Sequence, residues 1–272
     1  MSLLSTVLGQ AALALYLASL GMYCWWLAAN RQRLGHAATS LLGLGIAAHY
    51  FALLERSRAV GAVPYQDLAG SMSLFAWLLA LTYLGLELVH RQRAVGPLVL
   101  PFVLVFFAVS GSIHASAAPA PARGPLFALH VTVNVLAFAA FAISFVLSAV
   151  YLLQNRVLRA RQPGSAFWRF PPLETLERVS RSAVWLGTAA LAFGTVLGFY
   201  WAHQLQGRAW NADAKEITSL LILLVYALYL WLGRTTAWRG ARAAGLCVAS
   251  FLLVMFSYTV VNLYLSRYHR YF

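Results

Sequence analysis

The chain has 272 residues, of which 61% are hydrophobic and 10% charged, where a soluble domain carries about 25% charged residues. So little polar surface excludes a water-soluble fold, and so much apolar sequence excludes disorder. What remains is an all-α polytopic membrane protein. At roughly 20 residues per spanning helix the length allows about eight to ten helices with short loops. No stretch is long or polar enough for a separate soluble domain, so residues 1–272 read as a single transmembrane domain.

The first apolar run, 3–29, precedes the first basic residue, Arg31. A secretory signal puts its positive charge before the apolar stretch, so this run is expected to be a retained helix with its amino terminus outside. Seven more apolar runs follow, at about 35–54, 70–89, 95–113, 126–154, 182–203, 217–233 and 241–265, which makes about eight transmembrane helices. The longest connection, 155–181, holds six arginines and is broken by Pro163, Pro171 and Pro172. Within it, Pro171-Pro-Leu-Glu-Thr-Leu-Glu177 reads as a short helix start lying on an anionic membrane surface. Asp213 is placed to cap the seventh helix, with Glu216 three residues on as in a capping box.

The net charge is +13, and its distribution decides what it means. One set of connections holds Arg31, Arg33, Arg91, Arg93, Arg156, Arg159, Arg161, Arg169, Arg178, Arg181, Arg234, Arg239 and Arg242, which is 13 residues. The other holds Arg56, Arg58, Arg123, Arg208, Lys215, Arg267 and Arg270, which is 7. The positive-inside rule makes the first set cytoplasmic. Both termini then lie outside, in agreement with an even helix count. The basic balance therefore reports topology, and no nucleic-acid partner is expected, because no soluble basic face interleaved with aromatics is present.

The two cysteines, Cys24 and Cys247, lie inside apolar runs and form no Cys-x-x-Cys pair, so dithiol exchange and structural zinc find no support. There is no phosphate loop, no Gly-x-Ser-x-Gly elbow and no His-Glu-x-x-His, hence no hydrolase or kinase signature. The seven histidines are more telling. His36 and His90 fall at cytoplasmic helix ends beside arginine. His49, His114, His130, His203 and His269 map toward the outer face, and His49 lies within an apolar span, where an ionisable residue is a functional candidate by default. Histidines at the rim of a helical bundle suit haem, because two imidazoles from different helices hold iron from both sides. Aromatic side chains then cover the flat apolar macrocycle. Copper would favour methionine and cysteine alongside, and the four methionines are not clustered.

The segment after the sixth run reads Gly198-Phe-Tyr-Trp201-Ala-His203-Gln-Leu-Gln-Gly207-Arg-Ala-Trp210-Asn-Ala-Asp213-Ala-Lys215-Glu216. As residue chemistry alone it is a capped helix start beside interfacial aromatics. As an ordered set, Gly-x-x-Trp followed by Trp-x-x-Asp-x-Lys-Glu and an apolar helix resembles the tryptophan-rich "WWD" segment of haem-handling proteins in cytochrome c assembly. Leu223-Leu-Val-Tyr226-Ala-Leu-Tyr229-Leu resembles that family's next helix, and Trp238-Arg-Gly240-Ala-Arg-Ala-Ala its following loop. Val261-Asn262-Leu-Tyr-Leu-Ser-Arg-Tyr-His269 resembles its terminal motif. Upstream, Leu129-His130-Val-Thr-Val and Ala149-Val-Tyr151-Leu-Leu-Gln154 resemble its helix with a histidine at the outer start.

The chain thus resembles the CcsA/ResC and HemX-like cytochrome c assembly proteins, well over 125–272 and more weakly over the first 120 residues. The resemblance implies non-covalently bound haem b and a bacterial cytoplasmic (inner) membrane. It implies His130 and His269 as iron ligands, and His130, the 198–216 loop and His269 all on the periplasmic side. Trp201 and Trp210 would cover a haem face, and Asp213 and Lys215 would orient it, for example by Lys215 pairing with a propionate. Membrane lipid, haem and other assembly proteins are the implied partners. His49 matches the early-helix histidine of members that hold haem within the membrane. The companion position falls near Trp231, which cannot ligate iron, so the resemblance does not carry a second, intramembrane haem. Ala212 and Ala214 stand where the synthases have more distinctive residues. The alternatives are a HemX-like accessory or regulatory protein without stoichiometric haem and, less favoured, a solute transporter. Any enzymatic part would be as a component of a haem export or ligation system.

Overall fold

The computed structural model describes residues 3–29, 31–60, 67–113, 124–161 and 170–265. These form eight helices: α1 (Leu3–Ala29), α2 (Gln32–Val60), α3 (Leu68–His90), α4 (Gly96–Ser112), α5 (Gly124–Arg159), α6 (Leu173–Gln206), α7 (Ala214–Leu232) and α8 (Ala241–Phe256). A π-helical turn sequence, Ser257–Leu265, continues α8. All eight helices, α8 with the start of its π continuation, are long and apolar enough to cross a membrane, and no strand occurs among the described residues. In hydrocarbon every backbone group must be satisfied within its own segment, which is why the apolar runs are helical.

Several helices outrun the apolar runs that predict them. α2 spans 32–60 where hydropathy marks 35–54, and α5 continues to Arg159 past the apolar limit near 154. The largest difference is at α6, which begins at Leu173 and not near 182. The Leu-Glu-Thr-Leu-Glu stretch is therefore no separate surface helix but the first turns of a 34-residue one. Hydropathy reports where lipid ends, whereas a helix ends where its caps and dipole are satisfied. Arg156 and Arg159 sit in the last turn of α5 and Glu174 in the first turn of α6, each at the end that its charge stabilises.

The helices fall into two compact units, α1–α4 and α5–α8. The first unit is held by two buried polar centres. In one, Tyr16 Oη lies 3.2 Å from His49 Nδ1, Ser73 Oγ lies 2.9 Å from Nε2, and the imidazole stacks on Phe107 at 3.9 Å between centroids. α1, α2, α3 and α4 thus meet at one side chain. In the other, the buried carboxylate of Glu87 accepts from Tyr23 Oη, from Tyr83 Oη at 2.6 Å and from Thr39 Oγ1 at 2.5 Å, with Arg93 Nε 3.7 Å away. Arg93 also reaches His36 at 2.9 Å. Asp67 starts α3 by accepting from Gly70 N at 2.7 Å and pairs with Arg56 at 2.6 Å.

The second unit is built on the long α5–α6 pair. α6 presents Gly187, Gly194 and Gly198 to α5, where a Cβ would lie 2.6 Å from Phe141, Asn134 and His130 respectively. Small residues let the two backbones approach closely, which replaces the hydrophobic drive that lipid removes. On the next layer Phe141 stacks on Tyr226 of α7 at 3.7 Å with the rings parallel. Ser144 of α5 bonds to both Ser180 of α6 and Cys247 of α8.

Candidate functional site

His130 lies in the second turn of α5, and its place is set by α6. Nδ1 is 2.7 Å from the carbonyl oxygen of Gly194, 64 residues away in sequence. A carbonyl oxygen only accepts, so Nδ1 is the donor in this contact, which in a neutral imidazole makes Nε2 the basic nitrogen. Asn134, one turn along, donates from Nδ2 to the carbonyl of His130 at 2.7 Å and packs over Gly194. Phe127, one turn back, sits 6.1 Å from the imidazole and 4.6 Å from the Trp201 ring, centroid to centroid. The structure therefore brings His130 and Trp201 together through Phe127.

α6 stops at Gln206 because Gly207 takes φ +67° and donates to His203 O at 2.9 Å, a left-handed cap that favours glycine. The chain then runs back to α7 through the predicted capping box, which is present in full. Asp213 accepts from the backbone at Lys215, and the Glu216 carboxylate accepts from Asp213 N at 3.3 Å and from Asn211 N at 3.0 Å. Trp210, 45% exposed, packs edge-on to Phe199 at 5.9 Å. Ala212 holds φ +54°, a left-handed conformation that costs an L-residue with a Cβ roughly 1–2 kcal/mol. Ala212→Gly is accordingly expected to stabilise the second unit by about 1 kcal/mol, read as a higher melting midpoint in detergent; a lower midpoint would show that the alanine methyl has a packing role that outweighs the strain.

Lys215 is buried. Nζ lies 3.3 Å from both Ser257 O and Ser257 Oγ and 5.6 Å from the Phe138 ring centre. Thr218 adds a contact of 3.1 Å to the same Ser257 hydroxyl. The lysine thus ties the start of α7 to the residue at which α8 changes to π geometry, a change that frequently marks functional segments. Pairing with a haem carboxylate, the role implied by resemblance, competes with these bonds. His49 belongs to the first unit, with both ring nitrogens within hydrogen-bond distance of protein hydroxyls. His203 is exposed at the end of α6. His114 and His269 lie outside the described residues.

Four residues of this site were not singled out from the sequence: Phe127, Asn134, Gly194 and Ser257. Asn134 at four residues from His130 and the Gly194/Gly198 pair at the same spacing were the available signals, since both spacings put residues on one helix face.

The fold and this end of α5–α8 define a multi-pass, all-helical membrane protein with a histidine and aromatic cluster at one end of a helical unit. The sequence pattern of the Cytochrome C assembly protein family matches residues 65–269, and the chain belongs to that family. It is 28% identical to the cytochrome c biogenesis protein CcsA of Synechococcus sp. (strain WH7803), over 97% of this chain and 93% of that one. It is 27% identical to the protein HemX of Brevibacillus brevis, over 90% of this chain and 91% of that one. Among solved structures it is similar to the cytochrome c heme lyase CcmF, with a TM-score of 0.65 and 19% identity over 94% of this chain. The match covers 47% of that chain, so it speaks for the fold.

Proposed function

We propose that the protein binds haem b non-covalently at the outer end of its second helical unit and presents it for cytochrome c assembly. The observation that carries this reading is His130, seated beside Phe127 and Trp201 with Nδ1 committed to a backbone carbonyl. That is the arrangement of an imidazole that offers Nε2 to a metal, with its orientation fixed by an outer-shell partner. The apolar rings beside it suit a flat macrocycle. His130 and His269 would hold the iron, and Trp201 and Trp210 would cover the group. Bound haem would supply an iron centre for these histidines and two propionates for polar partners. Of the chain's own residues, Asp213 and Glu216 fix the shape of the tryptophan segment, and Lys215 fixes its distance from the terminal segment that leads to His269. If His130 and His269 both hold the iron, one of them would have to yield for haem to be handed on, which favours a site at a helix end over one at the bilayer midplane.

The arginine distribution supports placing this end outside, in the cytoplasmic membrane of a bacterium, with both termini on the same side. Sidedness is tested with single cysteines in a Cys24→Ser, Cys247→Ser background, using an impermeant maleimide on intact cells. Ala209→Cys is expected to label and Ala160→Cys to label only after permeabilisation; the reverse pattern would invert the topology and remove the outer-face role. A second reading, an accessory or regulatory membrane protein without stoichiometric haem, is favoured by the likeness to HemX. It differs in the amount of haem that the purified chain retains.

A further inference from the structure

A histidine offers only one of its nitrogens to a metal, and something has to choose which. In α6 the carbonyl of Gly194 is the helical acceptor for residue 198, four residues on. A helical side chain covers the turn N-terminal to its own Cα, so a side chain at 198 would lie over the Gly194 carbonyl. Residue 198 is glycine, and the ring of His130 fills the space: a Cβ at Gly198 would lie 2.6 Å from His130 Cε1 and 2.9 Å from Nδ1. The Gly194 carbonyl is thereby open to a second donor, and Nδ1 of His130 takes it at 2.7 Å. Gly194 has a different neighbour, since a Cβ there would meet the Asn134 amide at 2.6 Å. Asn134 in turn is anchored to the His130 carbonyl at 2.7 Å, with its Nδ2 3.3 Å from Nδ1.

From this geometry we infer that Gly198 is a positioning residue: it uncovers the Gly194 carbonyl, which locks His130 as the Nδ1–H tautomer and makes Nε2 the ligating atom. This rests on the reading of His130 as a haem ligand, yet the tautomer is a property of the haem-free chain and is measured separately. Any β-carbon at position 198 forces the ring off the carbonyl. Nδ1 then loses its acceptor, and the choice of nitrogen is released. Removing an outer-shell partner of a metal-bound histidine costs about 10–100-fold in metal affinity.

The test uses the full chain in lipid nanodiscs without haem, with ¹⁵N- and ¹³C-labelled histidine and His130 assigned by comparison with His130→Gln. The wild type is expected to show His130 with Nδ1 protonated and Nε2 unprotonated. Gly198→Ala is expected to shift that signal to the Nε2–H form or a mixture. Gly187→Ala, whose methyl meets Phe141 at 2.6 Å farther along the same contact and not the ring of His130, is expected to keep the wild-type tautomer and so controls for general loosening of the α5–α6 contact. With haem supplied, Gly198→Ala is expected to retain about 10–100-fold less than the wild type. A wild-type His130 protonated on Nε2 would overturn the inference, whether or not the variants fold. So would a folded Gly198→Ala chain with the wild-type tautomer and wild-type haem retention. A wild type with the Nδ1–H tautomer that takes up no haem would instead defeat the haem-ligand reading and leave the local geometry intact.

Discussion

His130→Ala is expected to lower haem retention in the purified chain by well over the about 10–100-fold that loss of an outer-shell partner costs. The mutation removes one of the two proposed iron ligands, together with the ring that fills the gap above Gly198. The iron that remains is expected to change from six-coordinate low-spin to high-spin, visible as a broadened and shifted Soret band. Packing supplies the control. Phe127→Leu shrinks the same aromatic cluster without touching a ligand atom, and is expected to weaken retention while leaving the low-spin signature of whatever haem stays bound. A His130→Ala, His269→Ala double variant that holds haem like the wild type would remove both residues from the site and leave His203 or His49 as the ligand.

Glu87→Ala is expected to produce the largest loss of stability of any single change in the first unit. Three hydroxyls, from Tyr23, Tyr83 and Thr39, and the guanidinium of Arg93 converge on one carboxylate that is 4% exposed. Interhelical hydrogen bonds in a bilayer average only about 0.6 kcal/mol each. Deleting the shared acceptor, however, strands the fully buried Tyr23 and Tyr83 hydroxyls at once, and each buried donor left unsatisfied costs about 1–3 kcal/mol. Because α1, α2 and α3 each send a side chain to the carboxylate, the cost falls on the packing of three helices. Glu87→Gln keeps the shape and one acceptor oxygen but turns an NH₂ toward existing donors, so its loss is expected to be smaller. Equilibrium unfolding in mixed micelles reads both. A Glu87→Ala chain within about 0.5 kcal/mol of wild type, the range of an inconsequential surface change, would show that these bonds do not hold the unit together.

Glu87 also shows what the sequence does and does not reveal. It stands near a helix end among apolar residues, where a lone acid looks merely interfacial. Its partners lie 64 and 48 positions away, in Tyr23 and Thr39, and no local pattern pairs them. The capping box at Asp213 and Glu216 was legible because its whole chemistry fits within one turn. The eight apolar runs were legible because lipid imposes length and composition on each helix separately. Where helices end was not, as Leu173 shows for α6: hydropathy falls at the membrane surface while the backbone remains helical beyond it. His130 was visible as a histidine at the start of an apolar run and through its likeness to haem-handling relatives. That its Nδ1 meets a carbonyl across the α5–α6 interface is a fact of packing, hinted at only by glycines spaced four apart. Lys215 is the converse case. Its position beside Asp213 invites an exposed ionic role, yet the side chain turns inward to Ser257, a partner that local sequence does not suggest.

Whether this cytochrome c assembly family member holds haem of its own is decided by how much haem the purified chain carries. The most direct measurement is a reduced-minus-oxidised absorption spectrum of the full chain purified in mild detergent after expression with ample haem, with haem quantified per polypeptide. A low-spin, six-coordinate spectrum and about one haem per chain are expected, the signature of two histidine ligands. A chain that purifies folded but without haem would contradict that expectation, and would leave the aromatic segment as an interfacial belt on an accessory membrane protein.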